Sequence, residues 1–329
     1  MAEIDKKQKG SAKLLDFLSK WGTILTIFIL IIFFSIAQPP FRSAANIVTI
    51  LRSISIVAVV AIGITVSLTV DGFDLSVGSV VTFSDTLVIS MFVWYGMGSF
   101  TAVLITLFVI LSVAVVNSFL IVKLKIFDLL ATLATMFIFE GVALTYTGGG
   151  SISQGMPRLD GTPTTGQIPE VFRLLGQSPY IIVMMLVIVT VVHIFLNYTK
   201  HGRYLYIVGG NEEAARLSGI PVKRYRTLAY FLSAFLAGIG GLMLAARIGS
   251  SQVNAGAGFL MPAVAAAFIG YSVGGVKKPN AIGTLVGAVL VGILENGLIM
   301  MSVPYYSLNI VKGFVLAIAL AVTYYRKTH

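Results

Sequence analysis

The sequence contains no cysteine, only three histidines and few charged residues, which make up 11% of its 329 positions. Without cysteine there is no disulfide framework and no cysteine-ligated metal site. The histidines, at positions 193, 201 and 329, lie too far apart in sequence to predict a catalytic or metal-binding cluster. A soluble domain carries roughly 25% charged residues. The composition therefore argues against a soluble protein and favours a membrane protein.

Catalytic and nucleotide-binding motifs are also missing. No Gly-x4-Gly-Lys-Ser/Thr sequence occurs, and the glycine run 148–150 lacks the Lys-Ser/Thr pair that a phosphate-binding loop needs. The chain shows no zinc-ligand spacing, no nucleophile elbow and no paired-carboxylate pattern. We therefore expect that it is not an enzyme, that it holds no metal, and that it is not a P-loop ATPase.

Apolar runs of the length that spans a bilayer recur along the chain, which is 57% hydrophobic. They predict an all-α polytopic membrane protein, with about ten transmembrane helices in a single domain at residues 21–324. The first run is expected to remain in the protein, because no small-residue cleavage pattern follows it. The predicted spans are Trp21–Ala37, Ser53–Val70, Val77–Phe92, Phe100–Val122, Leu129–Thr147, Pro179–Leu196, Thr227–Ala246, Pro262–Val276, Ile282–Met301 and Tyr306–Tyr324.

The 23 basic residues are distributed unevenly over the two sides of this arrangement. With the N-terminus inside, 17 fall on inner segments and 6 on outer segments or outer span ends, as the positive-inside rule predicts. Both terminal segments, 1–20 and 325–329, are then cytoplasmic, as is the loop 197–226, whereas the loop 148–178 lies outside. The orientation of the chain in membrane lipid therefore explains the net charge of +10, and no nucleic-acid partner is expected.

Residues 197–226 form a polar island between two apolar spans and carry six of the basic residues. The island contains the signals of one short helix. Asn211 is placed as N-cap, two glutamates follow it in the first turn, and Arg216 falls near the last turn. Gly219 is placed for a left-handed residue after the helix, and Pro221 prevents continuation. A short capped helix between membrane spans has no core of its own, so we interpret it as a docking element.

Polar residues inside the apolar spans are candidates for a solute pathway, because such groups are costly in lipid and face the bundle interior. The segment Asp71–Gly78 interrupts an apolar region and has two interpretations: a broken helix at membrane depth, or a turn in an inner loop. In both, Asp74 is expected to cap the next helix through the N–H of Ser76 or Val77. The candidate pathway or broken-helix residues are Asp71, Asp74, Ser76, Asn117, Glu140 and Asn296.

The two halves of the chain share a faint pattern. Val116-Asn117-Ser118 and Glu295-Asn296-Gly297 each lie in an apolar helix with small-residue spacing. Transporters often contain internal repeats, but two similar tripeptides leave the presence of a repeat open.

Two stretches carry a family resemblance. DGFDLSVG, residues 71–78, resembles the GGIDLSVG motif of ribose-type permeases of bacterial ABC importers, a group that also includes autoinducer-2-like systems. GRYLYIVGGNEEAARLSGI, residues 202–220, resembles the cytoplasmic loop of the same family. Weaker matches occur at 146–149, 255–259 and 283–288. The resemblance extends from about residue 40 to the end of the chain.

The resemblance implies a permease subunit in the bacterial cytoplasmic (inner) membrane that imports a small sugar-like solute. Its implied partners are a cytoplasmic ATPase subunit that binds Mg-ATP, a second permease copy or homologue, and an extracytoplasmic solute-binding protein. The short helix then corresponds to the coupling helix that contacts the ATPase. Its coupling residues are Asn211, Glu212, Glu213, Ala214, Arg216, Leu217 and Gly219.

Two other classes of function are compatible with some of these observations. An ion-coupled secondary carrier or facilitator for a small polar solute fits ten spans, but the few carboxylates in the spans are scattered and count against it. A membrane-embedded enzyme would need His, Asp or Glu clustered at one depth, which the sequence does not suggest. The solute itself, and whether the two permease positions hold identical chains, are not specified by the sequence.

Overall fold

The computed structural model describes residues 21–271, 273, 278–304, 307–308, 310–311 and 313–314. The helices of these residues are α1 Trp21–Ala37, α2 Ala44–Leu68, α3 Val77–Val93, α4 Ser99–Ser118, α5 Asp128–Thr147, α6 Glu170–Leu175, α7 Tyr180–Tyr198, α8 Lys200–Gly210, α9 Glu212–Leu217, α10 Val222–Ile248, α11 Ala257–Gly270 and α12 Ala281–Met300. A short 3-10 helix, Pro39–Arg42, precedes α2, and a π-helical turn, Phe119–Lys123, extends α4.

Six of these helices are long and apolar enough to cross a membrane: α2, α4 with its extension, α5, α7, α10 and α12. Three shorter apolar helices, α1, α3 and α11, accompany them. Among the described residues, these nine helices correspond to the first nine predicted spans, which confirms a helical, polytopic membrane protein. The tenth predicted span, Tyr306–Tyr324, lies largely outside the described residues, and the terminal segments 1–20 and 325–329 lie wholly outside them.

The centre of the bundle is formed by the antiparallel pair α2 and α10 together with α3, in which every residue but Met91 is buried. In the most apolar windows of α2 and α10, 67% and 72% of the residues are buried, against 28% in α4, α5 and α7. Gly63 of α2 lies against the carbonyl of Ser233, and Gly240 of α10 lies against Val60, so the two backbones approach closely. The less buried helices surround this pair and direct large apolar side chains outward, as lipid-facing helices do.

Both central helices are followed by a turn and a short helix that begins inside the bundle. α2 leads through residues 69–76 to α3, and α10 leads through residues 249–256 to α11. The starts of the two short helices meet, because a methyl group on Gly256 would overlap the carbonyl of Gly78, and Gly256 N–H donates to Thr82 Oγ1 at 2.9 Å. Each turn contains a non-glycine residue with φ of 56°, Asp71 and Asn254. The two units run in opposite directions, as their antiparallel long helices require.

Several predicted boundaries were wrong because hydropathy does not register polar helix ends. α2 begins at Ala44 instead of Ser53, since Ser43 caps it by accepting from Asn46 N–H at 3.2 Å. Arg52 therefore lies inside this helix, where it donates to Gln177 Oε1 at 2.9 Å. α10 begins at Val222 instead of Thr227. α11 begins at Ala257 instead of Pro262 and ends at Gly270.

Two glycines on one side of α12 form a packing surface. A methyl group on Gly283 would overlap the carbonyl of Gly270, and one on Gly287 would overlap the carbonyl of Ala266. These contacts bring α12 against the backbone of α11. Because helices in lipid associate largely through close packing, such glycines determine how near the two helices can lie.

We predict that Gly287→Ala destabilises the protein, whereas Gly141→Ala does not. The added methyl group at position 287 has no room beside the α11 backbone, and overpacking typically costs about 1–3 kcal/mol. The methyl group at position 141, also within a helix, meets open space and removes the roughly 1 kcal/mol penalty of a helical glycine. Thermal unfolding of the detergent-solubilised variants measures the difference, and equal midpoints would contradict the packing.

Candidate functional site

The short helix predicted in the polar island is present as α9. The side chain of Asn211 accepts from Ala214 N–H at 2.9 Å, which confirms the predicted N-cap. Ser218 N–H and Ile220 N–H return to the carbonyls of Ala214 and Ala215, both at 3.0 Å, and Gly219 has φ of 77°. Free N–H and C=O groups at both ends of the helix therefore have hydrogen-bond partners within the chain. An N-terminal cap of this kind contributes about 1 kcal/mol to stability.

The outward surface of α9 is unusually accessible. Ala215 faces inward and is buried, while Leu217 at the end of the helix is 81% exposed. Glu213 and Arg216 form an ion pair at 2.6 Å between two mostly exposed side chains. A large apolar side chain flanked by an exposed ion pair on a short rigid helix is suited to contact another protein.

A second helix in the island, α8, was not predicted from the sequence. Thr199 caps it by accepting from Gly202 N–H at 3.1 Å. Tyr206 donates to the carbonyl of Pro279 at 2.7 Å, and burial raises the pKa of Tyr206 to about 12, so the hydroxyl remains a donor at physiological pH. Lys278 lies over the Tyr206 ring at 4.4 Å. These contacts attach α8 to the turn before α12.

The last turn of α8 also contacts the turn after α2. Gly209 lies so close to it that a methyl group there would overlap the carbonyl of Thr69 and crowd Asp71 N–H. α8 therefore touches the connections on both sides of the bundle core, 69–71 and 278–280, while its C-terminal end continues directly into α9.

An ionic cluster that is exposed at Glu212 and buried at Asp128 connects α9, α10 and α5. Arg226 Nη2 lies 2.7 Å from both carboxylate oxygens of Asp128, the first residue of α5, and Arg226 Nη1 donates to Glu212 Oε2 at 3.0 Å. The Tyr230 hydroxyl donates to Asp128 as well. Asp128 and Tyr230 are buried, and a methyl group on Gly72 would press against both of their oxygens. The cluster thus extends from the accessible helix α9 to the turn that precedes α3.

Beyond Asp71 the segment 71–78 is largely buried, and its polar side chains Asp74 and Ser76 are hydrogen-bonded. Asp74 Oδ1 accepts from Ser76 N–H at 2.9 Å, as predicted, and from the Ser76 hydroxyl at 2.5 Å. The N-cap residue of α3 is Ser76, so Asp74 holds the residue before the helix and not the first-turn N–H groups of the helix itself. Asp74 Oδ2 accepts from the Ser233 hydroxyl at 2.7 Å. Asn117 donates to Ser76 Oγ at 2.9 Å. Three of the predicted pathway residues, Asp74, Ser76 and Asn117, therefore lie together.

This turn enters the bundle instead of lying at its end. Asp74 contacts α10 at Ser233, eleven residues after the helix begins at Val222, or about 16 Å along the axis at 1.5 Å per residue. α3 has 17 residues and starts from that depth. A backbone break within the bundle is tolerated because the surrounding protein satisfies its polar groups.

The other predicted pathway residues lie apart from this cluster. Asp71 is exposed at the start of the turn. Asn296 pairs with Asn46 through two amide hydrogen bonds of 3.0 Å, which join α12 to the start of α2. Glu140 is half-buried in the middle of α5. Within the described parts of the chain, no group of three or more histidine and acidic residues could hold a metal ion.

Sequence reasoning missed several residues of the site, among them Asp128, Gly209, Arg226, Tyr230 and Ser233. Each stands at a helix boundary or inside a helix that hydropathy had already placed. The sequence did carry one signal for Arg226 and Tyr230. Tyr230 comes four residues after Arg226 and Ser233 three residues after Tyr230, so the three residues share one face of α10. The partner of that face, Asp128, is 98 residues away from Arg226 and carries no local signal.

Comparison with known proteins identifies the family. Residues 46–320 match the family model described as the permease component of the branched-chain amino acid transport system. The chain belongs to this permease family. The match covers all of the elements described above from α2 to α12, including α8, α9 and both short helices.

Several permeases that are similar to this chain transport sugars. The ribose import permease of Bacillus subtilis is 33% identical over 308 residues, 92% of each chain. The ribose import permease of Escherichia coli K12 is 32% identical over 300 residues, 91% of this chain and 92% of that protein. The L-arabinose permease of the same organism is 29% identical and covers 94% of this chain. No solved structure gives a significant match.

We predict that Gly209→Ala separates α8 from the turn 69–71, whereas Gly210→Ala leaves the permease unchanged. At position 209 the methyl group meets backbone atoms, which cannot rotate away; at position 210 nothing lies within reach. Hydrogen–deuterium exchange of the amides in residues 69–76 should become faster only in the first variant. Unchanged protection in Gly209→Ala would contradict the close contact.

Proposed function

We propose that this chain is the transmembrane permease subunit of an ABC importer, and that α9 is the helix through which a separate ATPase drives it. Family membership supports the permease role, and the observation that carries the coupling role is α9 itself. The helix is capped at both ends, it is accessible, and it is joined to the bundle through α8 and Arg226. A permease subunit contributes no catalytic chemistry of its own.

The arrangement in the inner membrane follows from the same helix. We place the end of the bundle that carries α8 and α9 in the cytoplasm, where an ATPase subunit with Mg-ATP is available, and the end that carries α6 outside. The distribution of basic residues supports this orientation. With a tenth span after α12, both termini are cytoplasmic, and residues 21–324 form one transmembrane domain. The loop 197–226 is then inside and the loop 148–178 outside.

The two opposed units, α2 with α3 and α10 with α11, support an internal inverted repeat. In the first unit α4 follows with Asn117, and in the second α12 follows with Asn296. Asn117 bonds to Ser76, and Asn296 bonds to Asn46 at the other end of α2. Inverted repeats of this kind surround a solute site near the centre of the bilayer in many transporters.

The solute is proposed to be a small neutral sugar, with pentoses as the first candidates. Similar proteins import ribose, arabinose and, in Haemophilus influenzae, xylose, the last at 27% identity. Asp74 supports an importer over an ion-coupled carrier, because both of its oxygens are occupied by hydroxyl and N–H donors. An extracytoplasmic solute-binding protein and a second permease copy would complete the transporter.

The pathway itself is proposed to pass near Asn117 and the turn 72–76. Asp71, at the exposed start of that turn, belongs to the helix break and is not proposed to contact the solute. Asp74 and Ser76 hold that turn in place. Glu140 and Asn296 lie elsewhere, and their surroundings give no argument for contact with the solute.

We predict that Glu213→Arg and Leu217→Asp each prevent the ATPase subunit from co-purifying with the permease. Both substitutions alter the accessible face of α9 without touching its caps, and truncation of a central contact commonly weakens binding by more than about tenfold. Gly219→Pro is expected to have the same effect, because proline cannot adopt the left-handed conformation at that position.

The matched control for this experiment is Glu170→Arg. Glu170 is likewise an exposed acid in the first turn of a six-residue helix, but α6 lies at the other end of the bundle. The variant should retain the ATPase subunit fully. The coupling role of α9 is wrong if Glu213→Arg and Leu217→Asp still bind it.

Transport is predicted to require ATP hydrolysis by the partner. Vesicles that contain the permease, its ATPase and its binding protein should accumulate labelled ribose, arabinose or xylose only when Mg-ATP is present on the side of the membrane that carries the ATPase. Omission of the ATPase subunit should abolish uptake, since the permease has no nucleotide-binding loop. Uptake that persists without ATP and without the ATPase would instead support a facilitator.

A further inference from the structure

The structure assigns Asp128, Arg226 and Tyr230 a positioning role in transport: they connect the coupling helix to the turn 71–76 that begins α3. The inference rests on the proposed function of α9 and identifies how a movement of that helix would reach the centre of the bundle. None of the three residues is predicted to touch the solute or the nucleotide.

The first step is the bond between α9 and α10. Glu212 has a side chain that is 59% exposed, whereas the side chain of Arg226 is only 21% exposed. Their contact at 3.0 Å therefore joins the accessible helix to a largely buried cation. Glu213, the next residue, bonds within α9 to Arg216. Of the two first-turn glutamates, it is Glu212 that reaches the transmembrane bundle.

The second step is the bond between α10 and α5. Arg226 holds Asp128 through both carboxylate oxygens at 2.7 Å, and the Asp128 side chain is 11% exposed. Removal of one partner from such a pair leaves an uncompensated charge in a poorly solvated position. The two helices are therefore expected to move together at this point, because separating them would break the pair.

The third step leads from α5 and α10 to the turn. Gly72 packs against the oxygens of Asp128 and Tyr230. One helical turn further along α5, the Thr132 hydroxyl accepts from Leu75 N–H at 3.1 Å and lies 3.1 Å from the carbonyl of Phe73. On α10, Ser233 binds Asp74; it lies about one turn after Tyr230 and two turns after Arg226. Both helices that carry the ion pair thus contact the same turn within about two helical turns of it.

An ordinary stabilising salt bridge joins two elements, whereas this ion pair is part of an unbroken series of contacts. Glu212, Arg226, Asp128 and Gly72 are successive contacts that lead from an exposed surface to a backbone break inside the bundle. Two bonded helices without such a break would gain rigidity but would have no element to displace. Here the last contact is a turn from which the 17-residue helix α3 begins.

The test uses the natural absence of cysteine from the chain. A single Asp71→Cys substitution at the exposed start of the turn provides a specific reporter for maleimide labelling. In the complete transporter, the labelling rate is measured without nucleotide and after trapping with Mg-ATP and vanadate. We expect trapping to change the rate in the reporter background by roughly fivefold or more, the usual size of coupling between sites. An unchanged rate in that background would overturn the proposal.

The same measurement is then made with Asp128→Asn and with Tyr230→Phe. Both should retain the ATPase subunit and its ATP hydrolysis but lose most of the nucleotide-dependent change at position 71. The double variant Asp128→Asn with Arg226→Gln should lose no more than either single variant, since residues that act through one another are not additive. The control Thr284→Val removes another buried contact between helices, the 2.7 Å pair with Thr65, and should keep the full response.

The outcomes separate this proposal from the function on which it rests. Failure of the unmodified permease to bind the ATPase would refute the proposed function. Normal binding with an unaltered response in Asp128→Asn would refute the positioning role alone. If Asp128→Asn does not fold, Tyr230→Phe serves as the test of the positioning role, because it removes only a hydroxyl group. A full nucleotide-dependent change in labelling in Tyr230→Phe would overturn the inference. An equal loss of that change in Thr284→Val would overturn it as well.

Discussion

A carboxylate inside an apolar bundle must receive hydrogen bonds from the protein, and the way Asp74 receives them determines the centre of this molecule. Ser76, the residue before α3, supplies an N–H and a hydroxyl, and Ser233 supplies a hydroxyl from α10. These bonds fix where α3 begins and hold its start against the longest helix. The chain can leave α2, turn inside the bundle and start again without exposing polar backbone to lipid.

Close backbone contact is the second constraint, and glycine provides it. Gly63 and Gly240 allow α2 and α10 to approach, Gly256 lets α11 begin beside α3, and Gly287 brings α12 against α11. Because lipid is as apolar as the side chains, burial alone hardly favours one arrangement of the helices over another. The distance to which two helix backbones can approach therefore determines how the helices pack. The polar clusters and the glycine contacts therefore act together: the former define depth, and the latter define proximity.

Much of this could be predicted from local sequence. The apolar runs predicted nine of the helices in the described residues. Residue types within a few positions of one another also predicted the capped helix at 211–219 and the bond from Ser76 N–H to Asp74. The missed features depend on distant partners. Asp128 and Arg226 meet across 98 positions, and the role of Gly209 appears only when Thr69 is placed beside it. α8 was missed because a short amphipathic helix resembles a polar loop on a hydropathy scale.

The short helices α3 and α11 have a mechanical consequence. A helix that crosses a bilayer completely has polar ends in water on both sides, so any shift along its axis draws one of those ends into lipid. α3 and α11 begin inside protein, at Val77 and Ala257, with their first turns against each other. At this end, displacing either helix exchanges contacts within the protein and draws no polar helix end into lipid. The bundle thus contains two helices whose starting depth is set by protein contacts and not by the membrane boundary.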